Sequence, residues 1–536
     1  MAQSDGQTTG PSTAPPQRAT RREWIGLAVI ALPSLVYAMD LTVLTLALPA
    51  ISADLHPSST ELLWIVDIYG FLVAGFLITM GTLGDRIGRR KLLLIGAGAF
   101  GAASVLAAFS SSPEMLIASR ALLGIAGATL APSTLSLIRS MFQDDQQRTV
   151  AIGIWITSFS TGAAIGPLVG GVLLESFQWG SVFLLAVPVM GLLLAIGPRL
   201  LPEYKDPEPG RLDLASAALS LIAVLAVICG IKALAKDGAG LASVVPILAG
   251  VAVGAAFVDR QRRLAEPMID LGLFRRRAFS LALGANTLAF AVVFGIEVFV
   301  AQYFQLVLGY SPLEAGLWSV PGAAAFVVGS QLTPPLAARV RPPVVMLGGM
   351  AVAILGVALL TQVGAAGSPG LMVAGIVLLS LGLAPLFTLA ADLAVGSAPP
   401  ERAGAAAGIS ETSSELGGAL GLAILGTVGT AIYRNHTTDA LPADLPAGAA
   451  GTASDTLAGA VAVADRLPQL LASDVLESAR AAFTQAFQVA ATVSGVLVVA
   501  AAVMVARLLR TGDEQPASRA QEIALTAGVA VEQPCV

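Results

Sequence analysis

Fourteen runs of about twenty mostly apolar residues divide this chain, and a run of that length is what a helix needs to cross the hydrocarbon core of a bilayer. They are expected at about 24–48, 60–81, 91–110, 114–138, 149–174, 179–198, 212–233, 241–259, 279–305, 312–337, 343–363, 370–394, 404–432 and 482–509. Membrane-spanning sheet is excluded, because the runs are continuous and do not alternate every second residue. Composition agrees. Of 536 residues, 55% are hydrophobic and only 12% are charged, where a soluble domain carries about 25%. So few charges cannot clothe a water-facing surface, which excludes an ordinary soluble enzyme, a disordered protein and a nucleic-acid binder. The expected class is an all-α membrane protein.

Lysine and arginine orient such a chain, since they collect in the cytoplasmic loops. With the N-terminus inside, 24 of the 30 basic residues fall on the cytoplasmic side. Lys232, Lys236, Arg434, Arg466 and Arg480 are left outside, and Arg120 is left within a helix. An odd number of spans would spoil this alternation, so both termini are expected in the cytoplasm of a bacterial cell, with the chain in its plasma membrane. The expected organisation is a disordered tail at 1–22, a six-helix bundle at 23–200, two extra helices with their linkers at 201–277, a second six-helix bundle at 278–510 and a tail at 511–536. An external loop at 433–480 sits inside the second bundle.

An ionisable side chain inside a membrane is expensive and by default marks a pathway, a relay or a paired site. The candidates are Asp40, Asp67, Arg120, Glu297, Asp392, Glu411 and Glu415. Many acids against one base favour cationic cargo or protons over anions. Low dielectric disfavours the charged form of a carboxylate, so Asp40 can hold a proton and release it as a cavity opens. Arg120 stays protonated and can bias a nearby carboxylate toward release. These two are the candidates for proton coupling. Asp67 lies between Trp64 and Tyr69, and aromatic faces beside an acid suit a lipophilic cation. Glu411 and Glu415 are four residues apart, stacked on one helix face. Glu297, with Tyr303 nearby, completes the candidate binding set, and Asp392 is expected to be structural. Gly162, Gly166, Gly170 and Gly171 recur at roughly helical spacing and allow close helix packing, while Pro167 kinks the helix. No phosphate-binding loop, nucleophile elbow or metal-ligand cluster is present, and neither Cys229 and Cys535 nor His56 and His436 can build a disulfide framework or a zinc site. No enzyme activity, ATP, metal or other cofactor is expected.

The stretch Gly81-Thr-Leu-Gly-Asp85-Arg86-Ile-Gly88-Arg89-Arg90-Lys91 resembles the signature loop of the major facilitator superfamily. Three further motifs agree. Arg120 with Gly124, Gly127 and Ala128 is similar to the family's intramembrane arginine motif. Gly162, Gly166-Pro167 and Gly170-Gly171 resemble its antiporter motif. Asp40-Leu-Thr42-Val-Leu-Thr45-Leu-Ala47-Leu48-Pro49 resembles the motif of the fourteen-helix drug:proton antiporter branch, with Thr45 where that branch usually has Asn. Trp64-Ile-Val-Asp67-Ile-Tyr69 and Ile409-Ser-Glu411-Thr-Ser-Ser-Glu415-Leu-Gly417 look most like exporters of quaternary ammonium compounds, dyes and fluoroquinolones. The resemblance implies two pseudo-symmetric six-helix bundles with two inserted helices, a transport site near the bilayer midplane between the bundles, and proton-driven export of lipophilic, often cationic drugs by alternating access. Its expected partners are such drugs, protons and membrane lipids, in a monomer with no nucleic acid. Gly81, Asp85, Arg86, Gly88, Arg89 and Arg90 would then form a latch between conformations. A self-resistance or metabolite exporter with a narrower substrate is the alternative, and a non-transporting membrane scaffold is disfavoured.

Overall fold

In the computed structural model the described residues are 18–203, 205, 213–238, 240–264, 267–365, 369–397, 403–442 and 444–511. They are helical, with no strand among them. The first bundle holds α1 (Arg21–Leu55), α2 (Ser59–Ile87), α3 (Arg89–Ala108), α4 (Pro113–Gly127), α5 (Leu130–Met141), α6 (Asp145–Ser176), α7 (Ser181–Leu184) and α8 (Ala186–Leu200). An inserted pair follows, α9 (Leu214–Asp237) and α10 (Leu241–Arg263). The second bundle holds α11 (Arg277–Gln302), α12 (Pro312–Ala337), α13 (Pro342–Leu360), α14 (Pro369–Gly396), α15 (Ala403–Ala440), α16 (Ala447–Asp455), α17 (Leu457–Ala464) and α18 (Gln469–Thr511).

Among the described residues, twelve helical stretches are long and apolar enough to cross a membrane, or thirteen with the bent α6 taken as one. The fourteen expected runs all coincide with helices, but α12 is not among those twelve. The bend in α6 is 42°, between Val150–Ala163 and Ile165–Ser176. Its cause is Pro167, which has no N–H to donate to the carbonyl of residue 163 and crowds it.

Two large apolar clusters form the cores. One draws on α1 to α8 and the other on α11 to α18. The end where α1 begins and α18 finishes is called here the terminus end, and the opposite end, which carries α16 and α17, the cap end. The expected external loop is shorter than 433–480, because α15 runs on to Ala440 and α18 already starts at Gln469. Between them α16 and α17 lie over the cap end. There Asp455 accepts hydrogen bonds from both the backbone N–H and the hydroxyl of Ser59, each 2.9 Å long. A carboxylate on the N-terminus of α2 is well placed against that helix dipole, and it ties the two bundles together. The tail expected at 1–22 ends earlier, since Thr20 caps a helix that begins at Arg21. Residues 1–17 and 512–536 lie outside the described residues.

The inserted pair closes on itself at the terminus end. Asp213 caps α9 through the Ser216 N–H at 3.0 Å and meets the Arg260 guanidinium of α10 at 2.8 Å. Burial pushes its carboxyl up, but hydrogen bonds from Arg260 and Ser216 outweigh this and hold it below the usual carboxylate range. A depressed folded value means stability that is present above the ordinary carboxylate range and is lost as pH falls through the lowered value. Asp213→Asn is therefore expected to cost about 1–2 kcal/mol at neutral pH, and the difference should shrink in acid. Thermal melting of wild type and variant at neutral and strongly acidic pH checks both statements.

Candidate functional site

The site is built around α2, which α4, α9 and α15 surround. Arg120 on α4 is 1% exposed, and its guanidinium meets the Asp40 carboxylate of α1 at 2.5 Å. It also donates to the Ile65 carbonyl at 3.2 Å and lies over the Tyr69 ring at 4.4 Å. That depth requires α2 and α4 to touch backbone to backbone. Gly124 allows it, because a Cβ there would stand 2.6 Å from the Tyr69 carbonyl oxygen. The proton-coupling pair expected from sequence is thus one buried ion pair.

A bridge runs from this pair to the second bundle. Tyr37, one turn before Asp40 on α1, donates to Glu415 on α15 at 2.8 Å, and its ring packs 6.0 Å from that of Tyr69. Tyr37 was not singled out in the sequence. Its only signal was its position three residues before Asp40. Glu415 lines a small cavity of about 50 Å³ together with Asp67, Arg120, Gly70 and Ser414. Phe290 and Phe294 of α11 form its aromatic wall, with ring centroids 6.1 Å apart. Glu411, one turn nearer the terminus end, is exposed.

Asp67 carries the main correction. From the amino-acid order, Lys232 is expected outside the membrane and Arg120 is expected as the sole intramembrane base. Lys232 is instead buried on α9, with its Nζ 2.7 Å from Asp67 Oδ2 and 4.0 Å from the centroid of the Trp64 ring. The inserted pair therefore contributes to the site. Hydropathy hid it, because a lysine five residues from a helix end reads as loop.

Other expected members lie elsewhere. Tyr303 is buried in the second core and donates to the Gly364 carbonyl at 2.8 Å, away from the cavity. Glu297 is half-buried on α11 and lines neither the central cavity nor the one beneath the cap. Asp392 is exposed near the terminus end of α14.

The signature stretch is not a loop. Gly81, Asp85 and Arg86 belong to the last turns of α2, and a single residue, Gly88, separates α2 from α3. Its φ of 109° suits only glycine, and a Cβ there would also meet the Glu203 carboxylate at 2.5 Å. Asp85 pairs with Arg89 at 2.5 Å. Arg90 reaches Glu203 at 3.4 Å and the Leu201 carbonyl at 3.0 Å. These contacts stay at the terminus end of the first bundle and its linker.

The antiporter motif splits into two faces. Cβ atoms at Gly162, Gly166 and Gly170 would press on Leu35, Thr42 and Val43 of α1. Gly171 faces Leu313 of α12, and the Pro167 carbonyl lies 2.4 Å from where Gly316 would carry a Cβ. One face thus packs inside the first bundle, and the other joins the two bundles near the cap end. Gly162→Val is expected to destabilise the fold by about 1–3 kcal/mol, because its Cβ would meet the Leu35 carbonyl at 2.2 Å. Folded yield and melting temperature of the purified variant measure this.

Comparison with known proteins agrees with this architecture. The family model described as Major Facilitator Superfamily matches residues 30–422. The chain is 44% identical over 495 residues to "Multidrug efflux pump LfrA" of Mycolicibacterium smegmatis, covering 92% of this chain and 97% of that one. It is 36% identical over 490 residues to "Methyl viologen resistance protein SmvA" of Salmonella typhimurium, covering 90% and 97%. Among solved structures, a bacterial homologue of the human lysosomal transporter Spinster, inward-facing and unoccupied, superposes with a TM-score of 0.62 at 18% identity, covering 91% of this chain and 98% of that one. The family match over residues 30–422 and the relatives at 44% and 36% identity show that the chain belongs to the Major Facilitator Superfamily.

Proposed function

We propose that this chain is a proton-coupled antiporter that exports lipophilic, often cationic drugs across a bacterial plasma membrane by alternating access. Quaternary ammonium compounds, dyes and fluoroquinolone-like molecules are the intended cargo. The observation that carries the reading is the Asp40–Arg120 pair joined through Tyr69 and Tyr37 to Glu415 at the wall of the central cavity. A proton on Asp40 would weaken its hold on Arg120, and the tyrosine bridge offers a path for that change to reach the cargo cavity. A permanent cation in low dielectric needs a negative partner, since an unpaired ion costs several kcal/mol. Asp67, Glu411 and Glu415 can supply it, and a protonated acid cannot. Proton and cation then compete, and export follows from their exchange. The gradient alone drives the cycle, with no cofactor.

In this reading α12 is a further span, which brings the count to fourteen with both termini in the cytoplasm. The cap end is then external. Contacts between the bundles gather there and at mid-bundle, as in Ser59 with Asp455, Gln305 with the Leu46 carbonyl, and Gly171 with Leu313. Exposed Glu411 on the other side fits a state open to the cytoplasm. Asp85, Arg86, Arg89 and Arg90 lie at the end that must close for the outward state, where a latch would act. A narrower self-resistance role is the second reading, favoured by 32% identity over 528 residues to "Tetracenomycin C resistance and export protein" of Streptomyces glaucescens.

Liposomes containing the purified protein, an imposed pH gradient and a panel of cationic, neutral and anionic compounds test the proposal. Gradient-driven uptake of cationic dyes supports it, and uptake indifferent to the gradient overturns proton coupling. Asp40→Asn keeps size and hydrogen bonding but cannot titrate. It should lose gradient-driven transport about 100-fold while binding survives, and transport at the full rate would remove Asp40 as the coupling group. Asp85→Ala breaks the pair with Arg89 and should slow transport with little effect on the amount of folded protein, as measured by initial rates at matched protein content.

A further inference from the structure

Lys232 fills a place that a cargo would be expected to take. It belongs to α9, in the inserted pair, yet its ammonium lies against both the carboxylate of Asp67 and the face of Trp64 on α2. An acid beside an aromatic face is what recognises a lipophilic cation, and the lysine engages the two together. We propose that Lys232 is an internal stand-in for cationic cargo: its ammonium holds the Asp67–Trp64 box between transport events, and a substrate cation binds there by displacing it. The inference rests on the drug-export reading above and adds a residue that sets which cargoes are favoured.

The coordination of the pair is the first support. A lysine ammonium has three protons to donate, and a carboxylate can accept about four hydrogen bonds. Apart from their mutual approach, neither oxygen of Asp67 and no proton of Lys232 is hydrogen-bonded among the described residues, although both side chains are buried. A pair built only for stability gains from extra hydrogen bonds that satisfy its remaining groups. The Asp40–Arg120 pair has such support, since Arg120 also donates to the Ile65 carbonyl. The Asp67–Lys232 pair is left ready to exchange.

Access is the second support. Asp67 lines the central cavity and Lys232 does not. The lysine reaches the carboxylate from α9, and a cargo in the cavity reaches it from within. Two cations thus approach one acid from different compartments. The third support is a retreat for the lysine. It sits five residues before the end of α9 at Asp237, and a lysine stem can lie along apolar surface while its ammonium reaches toward water.

Displacement has a consequence for selectivity. The apparent affinity for a cation is its affinity for the free box reduced by the fraction of time the box is free. A neutral drug that does not use Asp67 escapes this reduction. Lys232 therefore handicaps every cation that uses the box by the same factor and leaves neutral cargo unaffected.

The test titrates purified full-length protein in detergent, at one fixed neutral pH, with tetraphenylphosphonium as the permanent cation and Nile red as the neutral probe. Lys232→Met should tighten tetraphenylphosphonium binding by about tenfold with Nile red binding unchanged. The gain should vanish in Lys232→Met combined with Asp67→Asn. Unchanged or weaker cation binding by a folded Lys232→Met protein overturns the proposal, as does an equal change for both probes. If Lys232→Met does not fold, Lys232→Arg carries the test. A guanidinium forks onto a carboxylate more firmly than an ammonium, so tetraphenylphosphonium binding should weaken and Nile red binding should not. Unchanged cation binding in that variant overturns the stand-in role. The two readings fail separately. Wild-type protein that neither binds nor exports the cation ends the export reading and this inference with it. Wild-type export with no response to position 232 ends this inference alone.

Discussion

A charge left alone in a low-dielectric interior costs several kcal/mol, and around α2 that constraint dictates which helices must meet. Asp40 brings α1 to Arg120 on α4. Asp67 brings α2 to Lys232 on α9. Glu415 brings α15 to Tyr37 on α1. Each contact joins segments far apart in sequence, and none replaces an apolar contact with a stronger one. A buried ion pair is not a cheap way to hold helices together, since well-packed apolar residues of similar volume often do as well or better. Three polar contacts clustered beside one cavity therefore carry a stability cost that the two apolar cores bear.

The cores and the seam between them use different chemistry. Within each bundle, large side chains such as Phe100, Phe183 and Phe487 are fully buried. Between α6 and α12 the contact is backbone on backbone, with Gly171 against Leu313 and Gly316 against Pro167. In lipid there is no hydrophobic drive to bring helices together, so close packing of small residues must do it. A seam of this kind has few interlocked side chains. Ser59 and Asp455 add polar contacts at its cap end, and these break more readily than a packed core.

Much of this architecture was legible in the amino-acid order. Each apolar run became a helix, because twenty contiguous apolar residues have no other way to satisfy their backbone inside a bilayer. The Asp40–Arg120 pair was foreseeable, since an arginine buried in a spanning segment must find an anion or a carbonyl. Three features were not. Lys232 read as a loop residue, because a basic side chain near the end of an apolar run matches the usual helix boundary. Tyr37 carried no signal, since an aromatic in an apolar run reads as core until its hydroxyl is seen to face Glu415. The stretch from Gly81 to Lys91 read as a loop from its glycines and charges, yet only Gly88 leaves the helix. Composition counts breakers, and geometry decides which of them break. Tyr303, grouped with Glu297 from the amino-acid order, instead turns its hydroxyl to the Gly364 carbonyl in the second core.

The pairing of Asp67 with Lys232 also bears on how the protein is made. A chain synthesised from its N-terminus inserts α2 well before α9 exists. Until α9 arrives, the carboxylate of Asp67 has no lysine to meet and must stay wet, or keep its proton, among α1 to α8. The first bundle is therefore electrostatically unfinished when its own helices are complete. The inserted pair thus completes it as well as connecting it, and a fragment ending after α8 would carry Asp67 without its basic partner.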